Sequence, residues 1–172
     1  MGVQKNIKNL LNERLERDVL ILLERIAKVA KKSGVSVFVV GGFVRDLLLG
    51  IANKDIDIAV EGDGILFASH LAQEFEGRVK VHKKFGTSVV IFPDGYKVDV
   101  ATARQEYYEH PAALPTVKPS SIKSDLYRRD FTINSLAVSL NGEGAFCLID
   151  LFAGERDIEK KEIQVLHELS FI

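Results

Sequence analysis

The residues in this 172-residue chain best placed to do chemistry together are Asp55 and Asp57. They fall in DIDIAVEG (55–62), where polar and apolar residues alternate. In an extended strand that alternation puts Ile56 and Ile58 on one face and both carboxylates on the other. Two carboxylates at i and i+2 then stand a few ångströms apart, a spacing suited to sharing Mg²⁺, a hard cation that prefers oxygen ligands. Metal ions held this way can activate an attacking 3′-hydroxyl and stabilise a leaving pyrophosphate in one in-line displacement. Taken alone, a D-x-D pair is more often just the solvent face of a strand.

The residues upstream change that balance. Twelve residues separate Gly42 from Asp55, and the order reads strand, glycine turn, helix, strand. SVFVV (36–40) has the look of a buried strand; Gly41-Gly42 turns it into a short helix, FVRDLLL, which Gly50 ends as a C-cap. Glycines let a backbone approach a triphosphate closely, and the N–H groups opening the next helix can hold its charge. The alternative for Gly41-Gly42 is a tight turn that needs positive φ.

Other elements must position this unit. Residues 6–32 place Ile7, Leu11, Leu15, Leu22, Ile26 and Val29 at helical spacing, predicting one or two amphipathic helices, the second capped by Asp18. Residues 64–76 form a further amphipathic helix. RVKVH, TSVVIF and YKVDVAT read as three strands, the last two joined through Pro93-Asp94-Gly95. Residues 105–121 hold three of the four prolines and read as a long, mobile loop. SIKSDLYRRDFTINSLAVSL resumes as helix and FCLIDL as strand, before the charged helical stretch AGERDIEKKE and the apolar IQVLHELSFI.

Composition narrows the class. Hydrophobic residues at 47% and charged residues at 27% are the balance of a globular domain. Cys147 is the only cysteine, so no intrachain disulfide forms and a reducing cytoplasm is the natural setting. No apolar run approaches the roughly 20 residues that span a bilayer. A net charge of −1 argues against a broad basic surface for nucleic acid. The first 34 residues carry eight Lys/Arg against four Asp/Glu, but these interleave with an apolar stripe as on an ordinary surface helix. His70, His82, His110 and His167 have no zinc-site spacing.

Five segments in order, VGGFVRDLLLG, KDIDIAVEG, FGTSVVIF, KVDVATAR with EYY, and RRDFTIN, resemble the head of bacterial tRNA nucleotidyltransferases and poly(A) polymerases of the second class, the CCA-adding family. The resemblance covers about residues 34–170. It implies a polymerase-β-like nucleotidyltransferase fold: a mixed α/β domain with a small, mostly antiparallel sheet of about five strands, helices on one face, the carboxylates on the other and an N-terminal helix in front. It implies template-independent transfer of nucleotides from CTP or ATP to an RNA 3′ end, tRNA among the acceptors.

Residue by residue, the resemblance makes Asp55 and Asp57 the metal-binding catalytic pair and Asp99 a third carboxylate. Gly41, Gly42 and Arg45 would line the triphosphate, Gly86 and Thr87 would border the nucleotide, and Arg129, Asp130 and Asn134 would contact its sugar and phosphates. Local readings stay open beside these. Asp99 could be an ordinary strand residue and Gly86-Thr87 a plain turn. Asp130 could cap a helix, and Arg128 and Arg129 could pair with local acids. Asp46, in a helix's first turn, is assigned to the dipole. Tyr107 and Tyr108 could stack on a base or pin their loop.

The family usually continues into an acid-acid-x-x-Arg segment that reads the base, then into helical regions that hold tRNA. This chain ends at Ile172. The expected division is a helical arm at 1–33, the head at 34–150 and the start of a neck at 151–172, a fragment with little activity alone. Two other functions fit the D-x-D unit. A small-molecule nucleotidyltransferase of the antibiotic-modifying type is disfavoured by RRDFTIN and KVDVATAR. A non-catalytic nucleotide-sensing module is disfavoured by the intact Asp55 and Asp57.

Overall fold

The computed structural model describes residues 5–107 and 116–167. In chain order the elements are β1 (Lys5–Asn6), α1 (Lys8–Arg14), α2 (Arg17–Ser33), β2 (Ser36–Val40), α3 (Gly42–Leu49), β3 (Ile56–Glu61), α4 (Gly64–Glu74), β4 (Arg78–His82), β5 (Thr87–Ile91) and β6 (Lys97–Thr102). There follow β7 (Arg104–Tyr107), β8 (Thr116–Pro119), α5 (Ile122–Tyr127), β9 (Leu136–Ser139), β10 (Cys147–Asp150) and α6 (Gly154–Lys160). Short 3₁₀ turns lie at Lys83–Phe85 and Thr132–Asn134.

The main sheet runs β1-β10-β9-β2-β3-β6-β5-β4 and every pair in it is antiparallel except β3 with β6. Eight strands replace the five expected. Two of the additions have clear reasons for escaping notice. β1 is two residues long, too short to show a period. β9 lies inside the stretch read as helix; all four of its residues are buried, and a strand covered on both faces shows no alternation to separate it from a buried helix. The span read as a loop from 105 also pairs in part, β7 against β8; residues 108–115, and with them Tyr108, lie outside the described residues.

Alternation along the strands divides the core. Val37, Val39, Ile56, Ile58, Val60, Val98 and Val100 pack on one face against α1, α2, α3 and α4 through residues such as Leu11, Leu23, Ile26, Phe43, Leu47, Phe67 and Leu71. The first two helices are thus built into the same core as the sheet. Asp18 does not cap α2: Glu16 holds the cap position without a side-chain bond, and Asp18 sits in the first turn, where its charge favours the helix dipole.

On the opposite face Phe38, Val40, Ala59 and Ala137 are covered by Ile122 and Leu126 of α5. The start of α5 is tied to the sheet as well, since the Ile122 N–H donates to Glu61 Oε1 at 2.7 Å. Glu61 is on the same face of β3 as Asp57, so α5 shares the carboxylate side. Leu126 is fully buried there. Leu126→Ala should cost roughly 2–5 kcal/mol of stability, measured by urea unfolding; a loss below about 0.5 kcal/mol would show that α5 is not held by this contact.

Candidate active site

The parallel pairing of β3 and β6 puts Asp57 directly beside Asp99. Adjacent strands lie about 4.8 Å apart, so the two carboxylates rise together from the face that α5 partly covers. They line a cleft of about 280 Å³ with Thr87, Asp125, Arg128 and Arg129 among its walls. Asp55 precedes the first paired residue of β3. It does not line that cleft, but its charge is felt at Asp57. The Asp57 carboxyl is held above the usual carboxylate range, by burial first, then by the neighbouring charge of Asp99 and less by that of Asp55, with Arg129 opposing them.

Arg129 reaches the cleft because two groups grip it. Its Nη2 donates to Asp125 Oδ2 at 3.1 Å and its Nη1 to the Asn134 carbonyl at 3.3 Å. Asp125 is 1% exposed and takes Arg128 on its other oxygen, from Nε at 3.2 Å and Nη2 at 3.0 Å. The local acid allowed for these arginines is therefore a buried one. Sequence reasoning missed Asp125, although D-x-x-R-R sets one acid at i, i+3 and i+4 from two arginines on a helical turn.

Gly41 makes room for this arginine. Its φ of 71° and ψ of −132° belong to a region that glycine alone enters freely, and a Cβ there would stand 2.8 Å from Arg129 Nη1. Its N–H donates to the Leu136 carbonyl at 3.0 Å and its carbonyl accepts the Arg45 N–H at 3.1 Å. The backbone angle accounts for glycine here, and a side chain would also displace the tip of Arg129. Arg45 in turn donates from Nη1 to Asn134 Oδ1 at 2.8 Å. Gly41, Arg45, Arg129 and Asn134 thus form one group along the rim of the carboxylate cleft.

Thr87 joins the cleft wall, opposite Ala101 on β6. Gly86 is a left-handed turn residue with φ of 62° whose carbonyl accepts the Thr102 N–H at 3.0 Å. Asp130 is exposed, caps nothing, and does not line the cleft; its carbonyl accepts the Leu166 N–H at 2.8 Å. The Tyr107 backbone pairs with Thr116. Among the described residues no three His, Cys, Asp or Glu side chains gather closely enough to hold a metal by themselves. Mg²⁺ does not ask for that: it commonly takes one or two carboxylates and completes its shell with phosphate oxygens and water. An all-oxygen set in which neighbouring negative charge raises the proton affinity of Asp57 is a fitting donor set for it.

A mixed sheet with paired acids on neighbouring strands, facing a glycine turn that opens a helix, defines the class: a polymerase-β-like nucleotidyltransferase domain. Residues 37–164 match the family described as the poly A polymerase head domain, and the chain belongs to that family. It is 57% identical to an A-adding tRNA nucleotidyltransferase of Geobacter sulfurreducens, over 98% of this chain and 19% of that protein. Its fold is similar to that of an apo CCA-adding enzyme at a TM-score of 0.93 and 46% identity, over 99% of this chain and 40% of that one. It is similar, at a TM-score of 0.74 and 43% identity over 85% of this chain and 40% of that one, to a tRNA nucleotidyltransferase complexed with a primer tRNA and an incoming ATP analogue. The chain thus spans well under half the length of each. Among its described residues no helix is long and apolar enough to cross a membrane.

The raised proton affinity of Asp57 has a sign that can be tested. A carboxyl that holds its proton more tightly when folded makes the fold less stable as pH rises through its folded-state pKa. In metal-free buffer at neutral pH, Asp57→Asn should therefore melt at a higher temperature than the parent. The gap should shrink as pH falls below the carboxylate range and both forms become neutral at this position. A lower melting temperature for the variant at neutral pH would contradict the electrostatic account.

Proposed function

We propose that this chain is the catalytic head of an enzyme that adds nucleotides from CTP or ATP to the 3′ end of tRNA. The observation that carries the reading is the register of Asp57 against Asp99 in a cleft walled by Arg129. In the reaction the RNA 3′-hydroxyl oxygen bonds to the α-phosphorus of the nucleotide, the bond from that phosphorus to the β-bridging oxygen breaks, and pyrophosphate leaves with the electron pair. The hydroxyl proton passes to solvent or a cleft carboxylate.

Asp55 and Asp57 would hold Mg²⁺, which when bound supplies positive charge against the reacting phosphates. Asp99 serves as the third carboxylate of the cleft. Arg129 and Arg45 offer their guanidinium groups to the triphosphate, a match of planar donors to phosphate oxygens. Gly41 and Gly42 let the backbone approach it, Thr87 and Gly86 border the nucleotide, and Asn134 holds the two arginines in one geometry. Asp130, exposed and next in sequence to Arg129, would contact the sugar.

We take residues 34–150 as the head, 1–33 as its N-terminal arm and 151–172 as the start of a neck. The net charge of −1 supports an RNA grip made mainly by regions beyond these residues, where base choice would also lie. The similarity to an A-adding relative makes terminal adenosine addition the first activity to assay.

The test is to incubate the protein with labelled ATP or CTP and tRNAs ending before the first C, after the second C and after the A, with small-molecule acceptors in parallel. Transfer to tRNA is expected, and Asp57→Asn should reduce it about a hundredfold or more, the loss of several kcal/mol of charge stabilisation. Transfer to small acceptors alone would move the assignment to antibiotic-type chemistry. Undiminished transfer by Asp57→Asn would remove the catalytic reading of the cleft.

A further inference from the structure

The two acids of the D-x-D pair are held in different ways. Asp57 lies within β3, where it pairs with Asp99 of β6. Asp55 lies before it, and its N–H donates to a side chain, Asn53 Oδ1 at 2.7 Å. The other end of that amide, Nδ2, donates to Asp46 Oδ2 at 2.6 Å. The second oxygen of Asp46 accepts Arg45 Nε at 2.8 Å, and Arg45 Nη1 donates onward to Asn134. A continuous strap of side chains therefore runs from the Arg129 rim, through α3, to the backbone of Asp55.

Only one orientation of the Asn53 amide satisfies both its neighbours: turned over, it would set a donor against the Asp55 N–H and an acceptor against the Asp46 carboxylate. That orientation requires position 46 to present an acceptor on each of its two terminal atoms, which a carboxylate does and a carboxamide, with one oxygen, does not. Asp46 has a side-chain exposure of 13%, so its bonds are sheltered in part from water. The residues around it are also steadied from the far side, where the Tyr96 hydroxyl donates to the Lys54 carbonyl.

We propose that Asp46 and Asn53 are positioning residues for Asp55, fixing the backbone from which its carboxylate reaches the metal, and that Asp46 does so by imposing the direction of the Asn53 amide. The proposal rests on the reading of Asp55 and Asp57 as metal ligands. Asp46 is then not the first-turn acid expected to favour a helix dipole: α3 starts at Gly42 and has no acid in its first turn.

The test uses Mn²⁺ as the probe, its binding followed by the electron paramagnetic resonance of the free ion, on the parent protein and on D57N, D46N, N53A and the double variant D46N/N53D. Thermal melts establish that each folds. The Mg²⁺ concentration for half-maximal nucleotide transfer is measured beside it. D46N and N53A should each weaken Mn²⁺ binding about 10-fold, the usual size of an outer-shell loss, and raise the Mg²⁺ requirement to match. In D46N/N53D the carboxamide at 46 accepts from Arg45 and donates to the new carboxylate at 53, which accepts the Asp55 N–H, so every bond is restored and binding should recover most of the loss. Parent-like binding by D46N, or a folded double variant no better than D46N, overturns the positioning role. Binding that D57N leaves unchanged overturns the metal reading itself and the proposal with it.

Discussion

The cleft depends on β3 and β6 running parallel in a fixed register. Parallel neighbours cannot be joined by a hairpin and need a crossover; here α4, β4 and β5 supply it, returning the chain to the edge of β3. Side chains alternate, so a slip of one residue would turn Asp99 into the apolar core and bring Val98 or Val100 out in its place. The burial of Val98 and Val100 against the helices therefore also sets which residue of β6 meets Asp57. Hydrophobic packing on one face decides the electrostatics of the other.

Concentrating acids on that face carries a cost that the structure offsets unevenly. Asp125 is deeply buried but meets two arginines and the Arg104 N–H; removing one partner of such a buried group is far more damaging than losing a surface pair. Asp57 has a weaker counterweight in Arg129, whose charge is largely engaged by Asp125. One helix thus presents a neutralised carboxylate while the strand beside it presents carboxylates still open to a cation. The arginine shared between them links the firmness of α5 to the character of the cleft.

Much of this was legible in the residues themselves. The patterns in DIDIAVEG, TSVVIF and YKVDVAT marked three strands and set Asp57 on the face away from Ile56 and Ile58, and Gly50 ended α3 as a left-handed cap. The resemblance supplied Asp99, and the register sets it beside Asp57. What escaped were features made by distance in sequence or by enclosure. Glu61 reads as the polar end of an alternating strand, and only the fold brings it to the N–H of Ile122. Arg45 and Asn134 are 89 residues apart. β9, enclosed on both sides, carried no period, and Asn53 looked like any loop residue because its partner Asp46 lies across a helix cap.

Gly41 has a consequence for the arginine that walls the cleft. A methyl group at 41 would have to push the Arg129 guanidinium away from the Asn134 carbonyl, and would still face a backbone angle of 71°. The guanidinium is the far end of a flexible side chain and can swing aside, so the crowding is relieved by moving the arginine out of its place beside Asn134, while the backbone angle stays as a cost of its own. Positions 41 and 129, far apart in sequence, are thereby coupled: what stands at the turn is felt by the arginine that walls the cleft.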